Sequence, residues 1–102
     1  LIPEWLIGDV GVEDVVVEVE GKADFYSNIK LIPSSRHMAN LAKLLILSES
    51  EVRKNAGRKE RLLKIRLKSL EEQFDYVVID TPPMLGDELI MSLVASNLIL
   101  IP

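Results

Sequence analysis

The sequence predicts an α/β fold: a parallel sheet, only part of it present, with helices on both faces. Three observations lead there. The apolar runs at residues 74–80 and 97–101 do not alternate with polar residues, as expected for strands buried on both faces. The stretches between the candidate strands repeat apolar residues at helical spacing. The order β-α-α-β-α-β, with strands separated by helices, is that of a parallel sheet joined by right-handed crossovers.

The 102 residues predict a single domain, 1–102. With 48% apolar residues there is material for a core, although at this length a core covered on both sides is only just attainable. A net charge of −4 argues against binding nucleic acid by bulk charge and leaves local patches open. The chain has no cysteine, which excludes disulfides, thiolate metal sites and cysteine nucleophiles. No apolar run reaches the ~18 residues of a membrane span, and no signal peptide is recognisable. The chain starts at Leu1 rather than Met, and Leu98–Pro102 is among its most apolar stretches. Termini ordinarily sit at polar surfaces, so the expectation is a piece of a longer protein.

Leu1–Gly8 predicts a short helix with Pro3 in its first turn. Residues 12–19 fit two descriptions. Their β-branched valines favour a strand, whereas the spacing Val12, Val15, Val16, Val19 fits a helix face. Residues 21–28 read as a loop and Asn28–Pro33 as a short strand. Ser34 or Ser35 can cap the next helix, which carries Met38, Leu41, Leu44 and Leu45 on one face. Residues 48–57 break the pattern and read as a loop ending at Gly57. A helix from about Arg58 to Gln73 follows, with Leu63, Leu67 and Leu70 in one stripe. Phe74–Asp80 is a strand, about Asp87–Ala95 a helix, and Asn97–Ile101 the last strand.

The chemistry concentrates at Asp80. It ends an apolar strand, and ligands of open parallel sheets bind beyond the carboxyl ends of the strands. Thr81, Pro82 and Pro83 follow, and the two prolines fix φ in the turn. A carboxylate so placed can hold magnesium, usually through water, beside a nucleotide phosphate; the plainer alternative is a strand-end aspartate capping the next turn. A second feature is charge. Residues 51–72 hold eight of the 12 basic side chains, and Arg61, Lys64 and Lys68 lie opposite the leucine stripe. They could contact DNA phosphates or form a solvated face helped by i,i+4 pairs such as Glu60–Lys64. Other residues read as structural. The sequence names no catalytic partner for His37, which fits a surface or capping role, and Trp5 and Met38 fit packing. Glu13, Asp14, Glu18 and Glu20 fit a solvated face without metal-loop spacing.

The string "FDYVVIDTPPMLGDELIMSLVASNLILIP" resembles the Walker B region of the ParA/Soj/MinD group of deviant Walker-type ATPases, and most of all its ParA branch, where the pattern runs "YDYVIIDTPPSLG". Upstream, "NIKLIPSSRHMANL" is similar to that branch's "NLxxIPSSxxLAxxE". "PEWLIGDVGVEDVVVEV" resembles the segment before it, where the family has helices, and this shades residues 12–19 towards helix. The resemblance implies a partial P-loop NTPase-like fold with its Walker B strand at 74–80. It also implies ATP and magnesium as cofactors, with Asp80 as the magnesium-linked acid and Thr81, Pro82 and Pro83 beside the nucleotide. For the whole protein it implies a cytoplasmic ATPase that forms ATP-dependent homodimers and segregates plasmid or chromosomal DNA. Nonspecific DNA binding and a centromere-binding partner protein that stimulates hydrolysis go with it.

The departures are as specific. The family's Gly-rich phosphate loop, of the type "KGGxGKT", is absent, and Gly8, Gly11 and Gly21 do not form one. The water-activating aspartate after that loop and the later adenine-contacting segment are absent as well. Without phosphate-binding N–H groups and a lysine, this chain alone is expected to be inactive, with no catalytic residue of its own. Leu89 and Met91 stand where the family usually has Thr and Asn. Two other readings remain. One is a nucleotide-independent DNA-binding or interaction module. The other, ranked lower, is a bacterial tyrosine-kinase-like domain of polysaccharide synthesis; such kinases share "FDYVIIDTPP" but end in a tyrosine cluster, and this chain has only Tyr26 and Tyr76.

Overall fold

In a computed structural model, residues 1–19 and 28–102 of the chain are described. The loop expected at 21–28 lies outside the described residues apart from Asn28, as does Glu20.

Among the described residues five short α-helices carry most of the order: α1 (Pro3–Ile7), α2 (Leu41–Leu47), α3 (Glu49–Ala56), α4 (Leu62–Lys68) and α5 (Asp87–Ala95). Strands β1 (Val17–Glu18) and β2 (Lys30–Leu31) pair antiparallel, Val17 opposite Leu31 and Glu18 opposite Lys30. α4 is the central element and packs against α1, α3 and α5. The core is assembled from Trp5 and Leu6 of α1, Leu41 and Leu45 of α2, Val52 and Ala56 of α3, Leu62 and Leu63 of α4, and Met91 of α5, with Val15 and Met38 from the connections.

Pro3 opens α1, where its missing N–H costs nothing. Gly8 closes it at φ +94°, and the Asp9 N–H donates to the Glu4 carbonyl at 2.8 Å. Arg66 Nε donates to the Leu6 carbonyl at 3.1 Å, tying α4 to the end of α1. A Cβ on Gly8 would lie 2.5 Å from Arg66 Nη2. Gly8→Ala therefore meets left-handed strain and also pushes on the guanidinium. It is expected to destabilise by about 1–2 kcal/mol, read as a lower midpoint in urea with unchanged slope.

Ser35 Oγ accepts from the His37 N–H at 3.2 Å, the cap expected for the second helix. That helix begins as a 3-10 turn, Arg36–Asn40, before α2. His37 itself is exposed and places Nδ1 3.1 Å from Glu4 Oε1, a surface role as anticipated. Trp5 and Met38 are buried, again as anticipated.

Several expectations need correction. The parallel sheet does not form: among the described residues the only ladder is the antiparallel β1–β2 pair. Residues 74–80 and 97–101 have no ladder partner, and apart from the half-buried Phe74 and Ile79 their side chains are exposed, with Val78 at 91% and Leu100 at 87%. A parallel pair becomes stable inside a sheet covered on both faces. Here a lone pair would have one helix for cover and no third strand, so it has little to gain. The radius of gyration, 14.1 Å, exceeds the roughly 13 Å of a compact chain of this length, as expected when the C-terminal segments do not fold into the core.

Residues 12–19 divide between the two descriptions, a 3-10 turn at Val12–Asp14 and then β1. The strand expected at 28–33 is paired only at Lys30–Leu31. The loop expected at 48–57 is instead α3. Its buried positions, Val52 and Ala56, are four residues apart, and Glu49 pairs with Arg53 at 2.9 Å. Two apolar positions make too thin a stripe for periodicity to reveal. Gly57, at φ +77°, does end it. The helix expected over 58–73 is regular only at 62–68. A 3-10 turn precedes it, and i→i+3 bonds such as Leu70 N–H to the Leu67 carbonyl tighten its end.

Glu18 is exposed, as read from the sequence, but it is not an isolated acid. Lys30, directly across the ladder, hydrogen-bonds its carboxylate and holds its pKa below the ordinary glutamate range. A depressed pKa stabilises the fold above the unfolded-state value, and that contribution is lost as pH falls through the folded value.

Candidate functional site

Asp80 and its turn hang between two anchors. On the entry side Ile79 is half-buried and packs against the core. On the exit side α5 begins at Asp87, and Met91, one turn further on, is 1% exposed. Between them Asp80, Thr81 and Pro83 are exposed and Pro82 is half-buried. No hydrogen bond or ion pair engages the Asp80 carboxylate among the described residues, so it does not cap the next turn. Both carboxylate oxygens remain open to solvent-borne ligands.

A hard cation such as magnesium takes oxygen ligands and keeps several waters. One free carboxylate suits it as a single, water-mediated contact. No cluster of three or more His, Asp or Glu side chains stands among the described residues, so these residues by themselves assemble no metal cage. The donor chemistry of Asp80 therefore fits a water-mediated magnesium contact and does not fit an all-protein cage.

The basic residues lie elsewhere, on the outer face of α4 and the turn before it. Arg61, Lys64 and Lys68 are exposed, and none forms an ion pair among the described residues. The Glu60–Lys64 pair anticipated from i,i+4 spacing does not form. Arg66, on the same helix, is turned inward to the Leu6 carbonyl and is unavailable to a ligand in that position.

Among the described residues one polar contact that the sequence does not reveal joins the start of α5 to the turn before α4. Lys59 Nζ lies 3.1 Å from Asp87 Oδ1. The two are far apart in sequence, and the pair becomes visible only when α5 packs on α4 and the 3-10 turn Lys59–Arg61. Two open grooves flank the helices. One, about 320 Å3, runs past Trp5, Gly11 and Arg66. The other, about 560 Å3, has Leu45, Val52, Arg58, Lys59 and Asp87 among its walls. Asp80–Pro83 line neither groove.

Leu89 and Met91, which replace the Thr and Asn usual in the resembled family, serve packing. Met91 is buried in the core and Leu89 is half-buried. Ser92, also buried, satisfies its hydroxyl by donating to the Glu88 carbonyl at 2.7 Å.

Comparison with known proteins decides the family. The profile of the family described as "AAA domain" matches residues 2–102. The chain belongs to this family. It is a ParA/Soj-type segment of it, and its relatives agree. It is 32% identical over 97 residues to the sporulation initiation inhibitor protein Soj of Bacillus subtilis, covering 95% of this chain and 33% of that protein. It is 35% identical over 91 residues to an uncharacterized protein of Methanocaldococcus jannaschii, covering 89% of this chain and 30% of the relative. With the maintenance of carboxysome distribution protein A of Gloeothece citriformis it shares 38% over 76 residues, 74% of this chain and 26% of the relative. No solved structure matches the chain at a significant level. The chain thus spans about a third of the length of the curated relatives it matches. No helix among the described residues is long and apolar enough to cross a membrane.

Proposed function

We propose that the chain works as part of a longer ParA-type partition ATPase, to which it contributes the Walker B acid. The observation that carries this reading is the free Asp80 carboxylate, exposed at the end of an apolar run and followed by a two-proline turn. Asp80 would orient a water of the magnesium shell, and Thr81, Pro82 and Pro83 would form the adjoining wall of the nucleotide site. Bound magnesium would neutralise charge on the β- and γ-phosphates of ATP as the phosphoryl group transfers. The phosphate cradle and the water-activating group would come from the remainder of the protein. So would most of the sheet on which residues 74–80 and 97–101 rest, whose solvent-facing apolar side chains suit that role. The complete protein would form ATP-dependent homodimers in the cytoplasm and segregate plasmid or chromosomal DNA with a centromere-binding partner protein.

The test compares two polypeptides. The chain completed to its relatives' length is expected to hydrolyse ATP with magnesium, and the 102-residue chain alone to show no turnover above buffer. A complete protein without magnesium-dependent hydrolysis overturns the reading.

A second reading, DNA contact without nucleotide, is favoured by one observation: Arg61, Lys64 and Lys68 are exposed and unpaired among the described residues. Each phosphate contact lowers the slope of log affinity against log salt by about 0.9. Lys64→Glu with Lys68→Glu is expected to abolish the mobility shift of nonspecific duplex DNA in both readings. A shift by the wild type that is indifferent to ATP supports the second, and one that requires ATP supports the first.

A further inference from the structure

Residues 75–102 carry the Asp80 turn, α5 and the last apolar run, yet they are held to the rest of the molecule almost wholly by apolar packing of Ile79, Met91 and Ala95. Their other polar contacts stay within the segment, such as Ser92 Oγ to the Glu88 carbonyl and Ser96 Oγ to the Ser92 carbonyl. Among the described residues one polar contact crosses out of it, Lys59 Nζ to Asp87 Oδ1 at 3.1 Å. Apolar packing sets depth but constrains rotation and sliding weakly, because dispersion and burial are non-directional. An ion pair to the first residue of α5 fixes where that helix starts, and hence where the turn before it ends.

The restraint matters because the exit of the turn has little else. Met84 and Leu85 are exposed, and a Cβ built on Gly86 meets nothing within 4 Å. Asp87 is three-quarters shielded, its side chain 23% exposed, while Lys59 reaches it from the 3-10 turn ahead of α4.

We propose that Lys59 is a positioning residue for Asp80: through Asp87 it anchors the exit of the Asp80 turn and thereby sets the placement of the magnesium-linked acid. This rests on the Walker B reading of Asp80. The contact also joins the carboxylate turn to the segment that presents Arg61, Lys64 and Lys68, so the two candidate surfaces share one mechanical link.

The experiment uses the protein completed to its relatives' length, with Lys59→Gln, Asp87→Asn, the double variant and Lys59→Arg. The first readout is amide hydrogen exchange over residues 90–96, the hydrogen-bonded amides of α5 and its end, which needs no nucleotide. The second is the magnesium concentration for half-maximal ATP hydrolysis. A partly exposed ion pair is a modest restraint, so each single variant is expected to speed exchange in that segment and raise the magnesium requirement roughly two- to fivefold. The double variant is expected to be no worse than either single, and Lys59→Arg to stay near wild type. Unchanged exchange and magnesium requirement overturn the proposal. So do effects that add in the double variant, or exchange that rises evenly across the core, which marks a merely structural role. An effect from Asp87→Asn without one from Lys59→Gln also overturns it, because that pattern belongs to the helix dipole. Asp80→Ala separates the two levels. If it leaves hydrolysis intact the Walker B reading falls, whereas if it abolishes hydrolysis and the Lys59 variants do nothing, only the positioning role falls.

Discussion

Asp80→Ala in the complete protein is expected to lower magnesium-dependent ATP hydrolysis on the order of a hundredfold while leaving stability within about 0.5 kcal/mol of wild type. Both halves follow from the same geometry. The carboxylate is exposed and engages no partner among the described residues, so its removal breaks no contact of the fold. A metal ion beside a transferring phosphoryl group supplies several kcal/mol of transition-state stabilisation, and about 2.7 kcal/mol is already a hundredfold in rate. Asp80→Asn keeps the shape and loses the charge. It should therefore fall with the alanine variant if charge is what matters. Steady-state rates across a magnesium titration, paired with thermal melts, make the check. Turnover near wild type in Asp80→Ala would remove the nucleotide role of the turn, and a large loss of stability would assign Asp80 to the fold instead.

Trp5→Ala carries the largest expected effect on stability. Trp5 is 2% exposed and lies where α1 meets α4, the helix on which α3 and α5 also pack. Truncating a buried aromatic of this size costs about 3–5 kcal/mol through lost burial and the cavity left behind. That is a large fraction of the 5–15 kcal/mol by which a typical domain is stable. Ile46→Ala is the matched control: Ile46 is 75% exposed, and its loss should stay within about 0.5 kcal/mol. Circular dichroism in a urea titration reads both, since the substitution removes the only tryptophan of the chain. Equal effects from the two variants would place the core elsewhere.

Much of the local structure was legible in the residues. Pro3 and Gly8 bracket α1, Ser35 caps the turn before α2, and Asp87–Ala95 is the helix expected there. Met38, Leu41, Leu45, Leu63 and Leu70, all drawn from stripes seen in the sequence, are buried. Local rules work there because caps and amphipathic stripes act over one to three turns. α3 escaped notice because its apolar stripe is two residues wide. The expected parallel sheet failed for a different reason: strand pairing depends on neighbours far away in sequence, and an apolar run carries no record of whether its partners are in the same polypeptide. Asp80 and its turn were singled out from the sequence alone. The Lys59–Asp87 ion pair was not, since nothing in either neighbourhood marks the two as partners.

By itself, then, the sequence determined where α1 and α5 begin and end, which stripes are apolar, and which carboxylate follows an apolar run into a proline turn. These depend on backbone sterics, burial periodicity and side-chain chemistry within a few residues. Tertiary structure alone decided that α4 sits at the centre, that Arg66 turns inward to the Leu6 carbonyl, and that Lys59 meets Asp87. It also decided that the runs at 74–80 and 97–101 stay unpaired among the described residues. The physical reason is that contacts between distant segments are chosen by the competition of whole surfaces for burial, and the outcome of that competition is written in no single stretch of chain.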